Sequence, residues 1–160
     1  MTKEKTKVGI ISGSPSDGDV VRLIEEELGR LEIAYETVVA SAHRDPDEVR
    51  AFARGAERRG LQVIIAVAGL AAALPGVVAS HTLLPVVGVP VVAGPLRGVD
   101  AAISMLQLPS GAPVATVGLG SSGPRNAALL AARLLALQDR ELRERLALWS
   151  ASWGRGEGGE

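Results

Sequence analysis

Apolar and polar positions along the chain alternate between two rhythms. Five short runs carry apolar residues in nearly continuous or alternating order: KVGIIS (7–12), YETVVA (35–40), LQVIIAVAG (61–69), PVVGVPVVAG (85–94) and APVATVGLG (112–120). Each has the length of a strand, and the unbroken run at 61–69 is of the kind buried on both faces of a parallel sheet. Between them the apolar spacing is helical. Val20, Ile24, Leu28 and Leu31 form one stripe, and Val49, Phe52 and Ala56 form another. The second stripe follows Asp45, with Pro46 in the first helical position and Glu48 three residues after the cap, which predicts a capped helix start. Residues 70–84 predict a short helix interrupted or capped around Pro75 and Gly76, residues 99–108 a further helix, and residues 123–153 one long helix or two in succession. Strand and helix alternate throughout, which predicts an α/β fold: a doubly wound parallel sheet with helices on both faces and an extended C-terminal helix.

Composition narrows this picture. The chain has 160 residues, the size of one domain with an ordinary core. We assign residues 1–153 to a single catalytic domain and expect the polar GRGEGGE segment, 154–160, to be a disordered tail. The net charge is −1, which argues against a nucleic-acid partner needing a basic face. There is no cysteine, so a disulfide framework and a thiolate nucleophile or metal ligand are excluded. The charged MTKEKTK opening leads straight into a strand, and no apolar run reaches membrane-spanning length without interruption; a cytoplasmic protein with no membrane association is expected.

In a doubly wound sheet the ligand lies beyond the carboxyl ends of the strands. The loops there are 12–17, 41–45, 69–76, 94–98 and 120–126. SGSPSD (12–17) places Ser14, Ser16 and Asp17 where a helix starts; it either offers donors to an anion or caps the helix through Ser16. SAHR (41–44) combines Ser41 with His43, one of only two histidines, and Arg44. Arg44 is suited to clamp a phosphate and His43 to move a proton near neutral pH. AGLAAALPG (68–76) has no ionisable group, so its alanines either admit a planar ligand against backbone or pack the core. His81 is expected on a helix surface or in a turn, away from the chemistry. Leu142, Leu146, Trp149 and Trp153 fall at helical spacing, a stripe for which a partner subunit is the expected cover. These residues point to a phosphorylated small molecule and proton transfer.

GSPSD, SAHR, the LPG before PVVGVPV, and MLQLPSGAPVATVGLG followed by NAALLAA together closely resemble the purine-biosynthetic N5-carboxyaminoimidazole ribonucleotide mutases, over roughly residues 7 to 150. The resemblance implies a flavodoxin-like three-layer sandwich, a homo-octamer, and no cofactor or metal. It implies that carboxylate on the exocyclic nitrogen of the ribonucleotide is released as carbon dioxide and recaptured by the ring carbon. His43 then matches the acid–base that shuttles the ring-carbon proton. Ser14, Asp17 and Arg44 match positions that bind phosphate and ribose, with Ser41 beside them. The Gly69 to Gly76 loop, with Ala71 and Leu74, matches the segment that holds carbon dioxide or carboxylate.

In that loop the sequence departs from the family pattern. Mutases usually carry histidine where this chain has Ala73 and glycine where it has Leu70. The related carboxylases, which capture free carbon dioxide, carry an Arg-Ser-Asn run that Leu70, Ala71 and Ala72 do not match. A carboxylase of aminoimidazole ribonucleotide is therefore the alternative activity. A ribonucleotide-binding protein without turnover is the alternative of another class.

Overall fold

A computed structural model describes residues 6–152. Five strands, β1 (Val8–Ser12), β2 (Tyr35–Val39), β3 (Val63–Ala68), β4 (Val86–Pro90) and β5 (Ala115–Thr116), form one sheet in the order β2-β1-β3-β4-β5. Every pairing is parallel, with Ile10 opposite Thr37 on one side and Ile65 on the other. This is the flavodoxin-like strand order, in which the chain direction switches between β1 and β3.

Among the described residues six α-helices cover the sheet: α1 (Gly18–Arg30), α2 (Pro46–Gly55), α3 (Leu74–Ala79), α4 (Val99–Leu106), α5 (Ser122–Leu135) and α6 (Arg140–Ser152). Successive residues of β3 divide between the two faces. Val63, Ile65 and Val67 join Val21, Ile24, Leu28, Ala128, Ala132 and Leu135 in one core, which places α1 and α5 on that face. Ile64, Ala66 and Ala68 join Val49, Phe52, Val78, Ala101 and Met105 in the other, beneath α2, α3 and α4. Alternate strand residues point to opposite faces, so a continuous apolar run is what a strand between two helix layers needs. Edge strand β2 lacks that run, and its Tyr35, Thr37 and Val39 are exposed.

Three expectations are corrected. The segment at 112–120 contributes only Ala115–Thr116 to the ladder. Asp45 makes no side-chain bond into α2; its carboxylate instead accepts the Ser41 N–H at 3.4 Å, so the expected capping box does not form. The α6 stripe is partly covered by its own chain: Leu142 is buried, and Leu146 and Trp149 are half-buried against the core. Trp153 and the 154–160 tail lie outside the described residues. The C-terminal segment forms two helices, and Asp139 starts the second by accepting the Leu142 N–H at 3.0 Å.

Candidate active site

The carboxyl edge of the sheet is assembled from the first three strand-end loops. β1 ends in a turn led by Ser14, whose hydroxyl oxygen accepts the Ser16 N–H at 3.2 Å and the Ser16 hydroxyl at 2.8 Å. The Asp17 N–H donates to the Ser14 carbonyl. Thus Ser14, rather than Ser16, is the cap of this turn, and the Ser16 and Asp17 amides are engaged within it. Because Ser14 Oγ already accepts twice, its own hydroxyl proton remains as a donor for a ligand. Asp17 is buried, and loss of hydration pushes its carboxyl above the ordinary value of 3.8, against the lowering effect of its backbone hydrogen bond at Ser14.

The loop after β2 is braced by its own polar groups. The Asp45 N–H donates to the Ser41 carbonyl at 2.8 Å, and the Arg44 N–H donates to Ser41 Oγ at 3.3 Å. Ser41 is therefore buried as the internal post of the turn, while His43 and Arg44 are displayed to solvent. Arg44 Nη2 reaches across to the Gly13 carbonyl at 3.3 Å, tying the two loops together. The remaining guanidinium donors stay available beside the Ser14 turn.

Where the third loop enters α3, the buried Leu74 lies against the first loop, 3.9 Å from the place a Gly13 Cβ would occupy. Gly69 and Ala71 lie in the third loop, but Leu74 and Gly76 belong to α3. A Cβ on Gly76 would meet Leu108 at 2.7 Å, so its missing side chain serves packing against the segment after α4. Leu70 and Ala72 are left-handed, with φ of 54° and 33°, a region that costs a residue with a Cβ about 1–2 kcal/mol. Leu70 lies over Gly94, where a Cβ would stand 2.6 Å from Leu70 Cδ2, yet remains 56% exposed. Covering about half of a leucine returns roughly 1 kcal/mol, no more than the backbone cost. No pattern of apolar spacing signals such a residue, because leucine has no preference for left-handed backbone.

His81 lies at the opposite end, in the turn between α3 and β4, and lines a groove with Arg54, Glu57 and Thr82. Among the described residues, no group of three or more His, Asp or Glu side chains is arranged to hold a metal, and no helix is long and apolar enough to cross a membrane.

The loops at 12–17 and 41–45 thus bring a hydroxyl, a buried carboxylate, a guanidinium and an imidazole to one edge of a flavodoxin-like sheet. Residues 7–153 match the family model described as AIR carboxylase. The chain belongs to the AIR carboxylase family. Within it, the chain is 48% identical over 143 residues to the N5-carboxyaminoimidazole ribonucleotide mutase of Escherichia coli, covering 89% of this chain and 85% of that protein. It is 50% identical over 143 residues to the protein of the same name from Mycobacterium tuberculosis, covering 89% and 81%. Among solved structures, a variant of Treponema denticola PurE2 superposes with a TM-score of 0.82 at 31% identity, covering 91% of this chain and 89% of that one.

Proposed function

We propose that this member of the AIR carboxylase family is an N5-carboxyaminoimidazole ribonucleotide mutase of purine biosynthesis. The observation that supports the site assignment is the Arg44–Gly13 tie, which fastens the loop that carries His43 to the loop that carries Ser14 and Asp17. Ser14 and Arg44 bind the phosphate, Asp17 the ribose hydroxyls, and the loop from Gly69 through Ala71 the one-carbon unit, with Leu74 and Gly76 supporting it from α3.

The chemistry balances without a cofactor. The carbamate N–C bond breaks, its electrons stay on carbon dioxide's former partner nitrogen, and that nitrogen takes up one proton. The resulting amine drives electrons into the ring, whose carbon attacks carbon dioxide; the new C–C bond forms and that carbon gives up one proton. One proton is consumed and one released, so a single imidazole, His43, serves both transfers. Loop backbone N–H groups are the available donors for the one-carbon unit, because Ala71, Ala72 and Ala73 present none.

The test is to supply the N-carboxylated ribonucleotide, and separately aminoimidazole ribonucleotide with labelled carbon dioxide, with no ATP present. Efficient conversion of the first with little exchange of label supports the mutase. Turnover only from free carbon dioxide supports the carboxylase, and binding without turnover supports a non-catalytic protein.

The working protein is proposed to be cytoplasmic and a homo-oligomer, an octamer by family resemblance. The α6 stripe is partly covered by its own chain, and α4 offers Val99, Ile103 and Leu106, spaced at one helix face and each more than half exposed. Light scattering at micromolar concentration should report an assembly; a monomer refutes it.

A further inference from the structure

Strands β3 and β4 run side by side to the carboxyl edge, and the loops that leave them stay in contact. The Val91 N–H donates to the Ala68 carbonyl at 3.0 Å. A Cβ at Gly69 would stand 3.3 Å from Ala93 and 3.4 Å from Val91, and one at Gly94 would meet Leu70 Cδ2 at 2.6 Å. The loop assigned to the one-carbon unit is therefore flanked by the loop after β4. Both lead onto the same face of the sheet, the first into α3 and the second into α4.

The two loops differ in chemistry. The first carries Leu70, Ala71, Ala72 and Ala73, without the histidine that mutases usually have at Ala73, and so has no side chain that donates a hydrogen bond. The second carries Arg97, which is exposed and among the described residues forms no ion pair and no side-chain hydrogen bond. The Arg97 N–H closes a turn onto the Gly94 carbonyl at 3.1 Å. Such a turn keeps its first and last Cα atoms within about 7 Å, so the long Arg97 side chain starts one turn's width from the Leu70 contact. Of the other arginines at this edge, Arg44 is tied to Gly13, and Arg125 stands in the first turn of α5, which covers the opposite face of the sheet.

We infer that Arg97 is a specificity-determining residue, whose guanidinium pairs with the carboxylate of the substrate and of the product and so distinguishes carboxylated ribonucleotides from aminoimidazole ribonucleotide. The inference rests on the mutase reading above. Both carboxylated species carry an anionic group that the uncarboxylated ribonucleotide lacks, while all three share the phosphate and ribose assigned to Ser14, Asp17 and Arg44. A planar guanidinium matches a carboxylate with two parallel N–H bonds. Backbone N–H groups of the one-carbon loop supply direction without net charge, so the charge that favours the carboxylated forms comes from the neighbouring loop.

The readout is the ratio of two affinities, measured by calorimetry for the C-carboxylated product and for aminoimidazole ribonucleotide. Arg97→Asn removes the charge with a residue that accepts left-handed backbone, φ here being 51°. It should weaken binding of the carboxylated product by about tenfold or more and leave that of aminoimidazole ribonucleotide within about twofold. Arg97→Lys should recover part of the discrimination, because it restores the charge without the planar fork. Arg125→Ala should leave the ratio as in wild type; a fall there would move the carboxylate toward the other face of the sheet and overturn the assignment. An unchanged ratio in Arg97→Asn also overturns the inference, whether neither affinity moves or both fall equally, and leaves the mutase reading intact. If the wild-type chain forms no rearranged product from the N-carboxylated ribonucleotide, the mutase reading fails first and the inference falls with it.

Discussion

Replacing Arg44 separates its structural tie from its proposed ligand contact. In the free protein its guanidinium makes one 3.3 Å bond to the neutral Gly13 carbonyl from an exposed position. Such a bond contributes at most about 1 kcal/mol. For a chain of this size that is a change of about 2–4 °C in melting temperature. A charge-assisted bond to a phosphate is worth about 1.5–3 kcal/mol, which corresponds to a roughly 10- to 150-fold loss of affinity. Arg44→Ala should therefore bind the ribonucleotide one to two orders of magnitude more weakly, by calorimetry, while melting within a few degrees of wild type. Arg44→Lys keeps the charge without the planar fork and should fall between them. Affinity unchanged in Arg44→Ala would remove Arg44 from the phosphate site. A fall of more than about 10 °C would make it a structural residue, contrary to its exposure.

Three further outcomes follow from the same geometry. His43→Asn should abolish turnover while ribonucleotide affinity stays within about threefold, because proton transfer and phosphate binding use different groups; appreciable turnover in a kinetic assay would reject His43 as the acid–base. Asp17 has a raised native pKa, so its contribution to stability is fully present below 3.8 and is lost as pH rises through the native value. Asp17→Asn should accordingly melt higher than wild type at neutral pH, with the gain disappearing in acid, and should bind the ribonucleotide more weakly; a lower melting temperature at pH 7 would contradict this. Asp139 has the opposite sign: the Leu142 N–H bond, followed by Lys7, lowers its carboxyl, so its contribution is present above 3.8 and is lost as pH falls through the lower native value. Asp139→Ala should cost about 1–2 kcal/mol at pH 7 through loss of the cap, and less near pH 3; an equal cost at both would contradict the linkage.

The sheet was legible because its signals are redundant. The run through Val63–Ala68 has to be apolar on both faces, and the helical stripes around Ile24 and Phe52 supply the facing layers. β5 was less legible. Its apolar residues are interrupted by Pro113, which has no N–H to donate, and by Gly118 and the left-handed Gly120, so the ladder stops after two residues. At the carboxyl edge, the place of His43 and Arg44 in the loop after β2 could be read from the sequence. The bracing of that turn could not, since Asp45 resembles a helix cap in sequence and its carboxylate turns back to Ser41. The α6 stripe was visible as apolar spacing, but spacing does not say what covers a face, and here the chain's own core buries Leu142 and covers part of Leu146 and Trp149.

The two ends of the sheet differ in how their local costs are met, and this bears on where function can tolerate change. At the amino edge, Lys7 ties several elements together. Its carbonyl accepts the Gln62 N–H at 2.8 Å, its N–H donates to Ala34, and its ammonium reaches Asp139 at 2.7 Å. At the carboxyl edge Asp17 is desolvated, and Leu70, Ala72 and Arg97 hold left-handed backbone, three of the four non-glycine residues that do so among those described. The exception, Glu32, lies where α1 returns to β2 and is fixed by an N–H bond to Gly29. Stored cost at a ligand-binding edge is the expected trade of stability for a preformed site. It follows that a change relieving cost at the carboxyl edge, such as Asp17→Asn, should raise or hold melting temperature and impair the reaction. Changes at the amino edge, such as Asp139→Ala, should lower melting temperature and leave kcat/KM within about twofold at temperatures where the protein is folded. If both classes instead moved melting temperature and kcat/KM in the same direction, the desolvation of Asp17 would have to be incidental to the site.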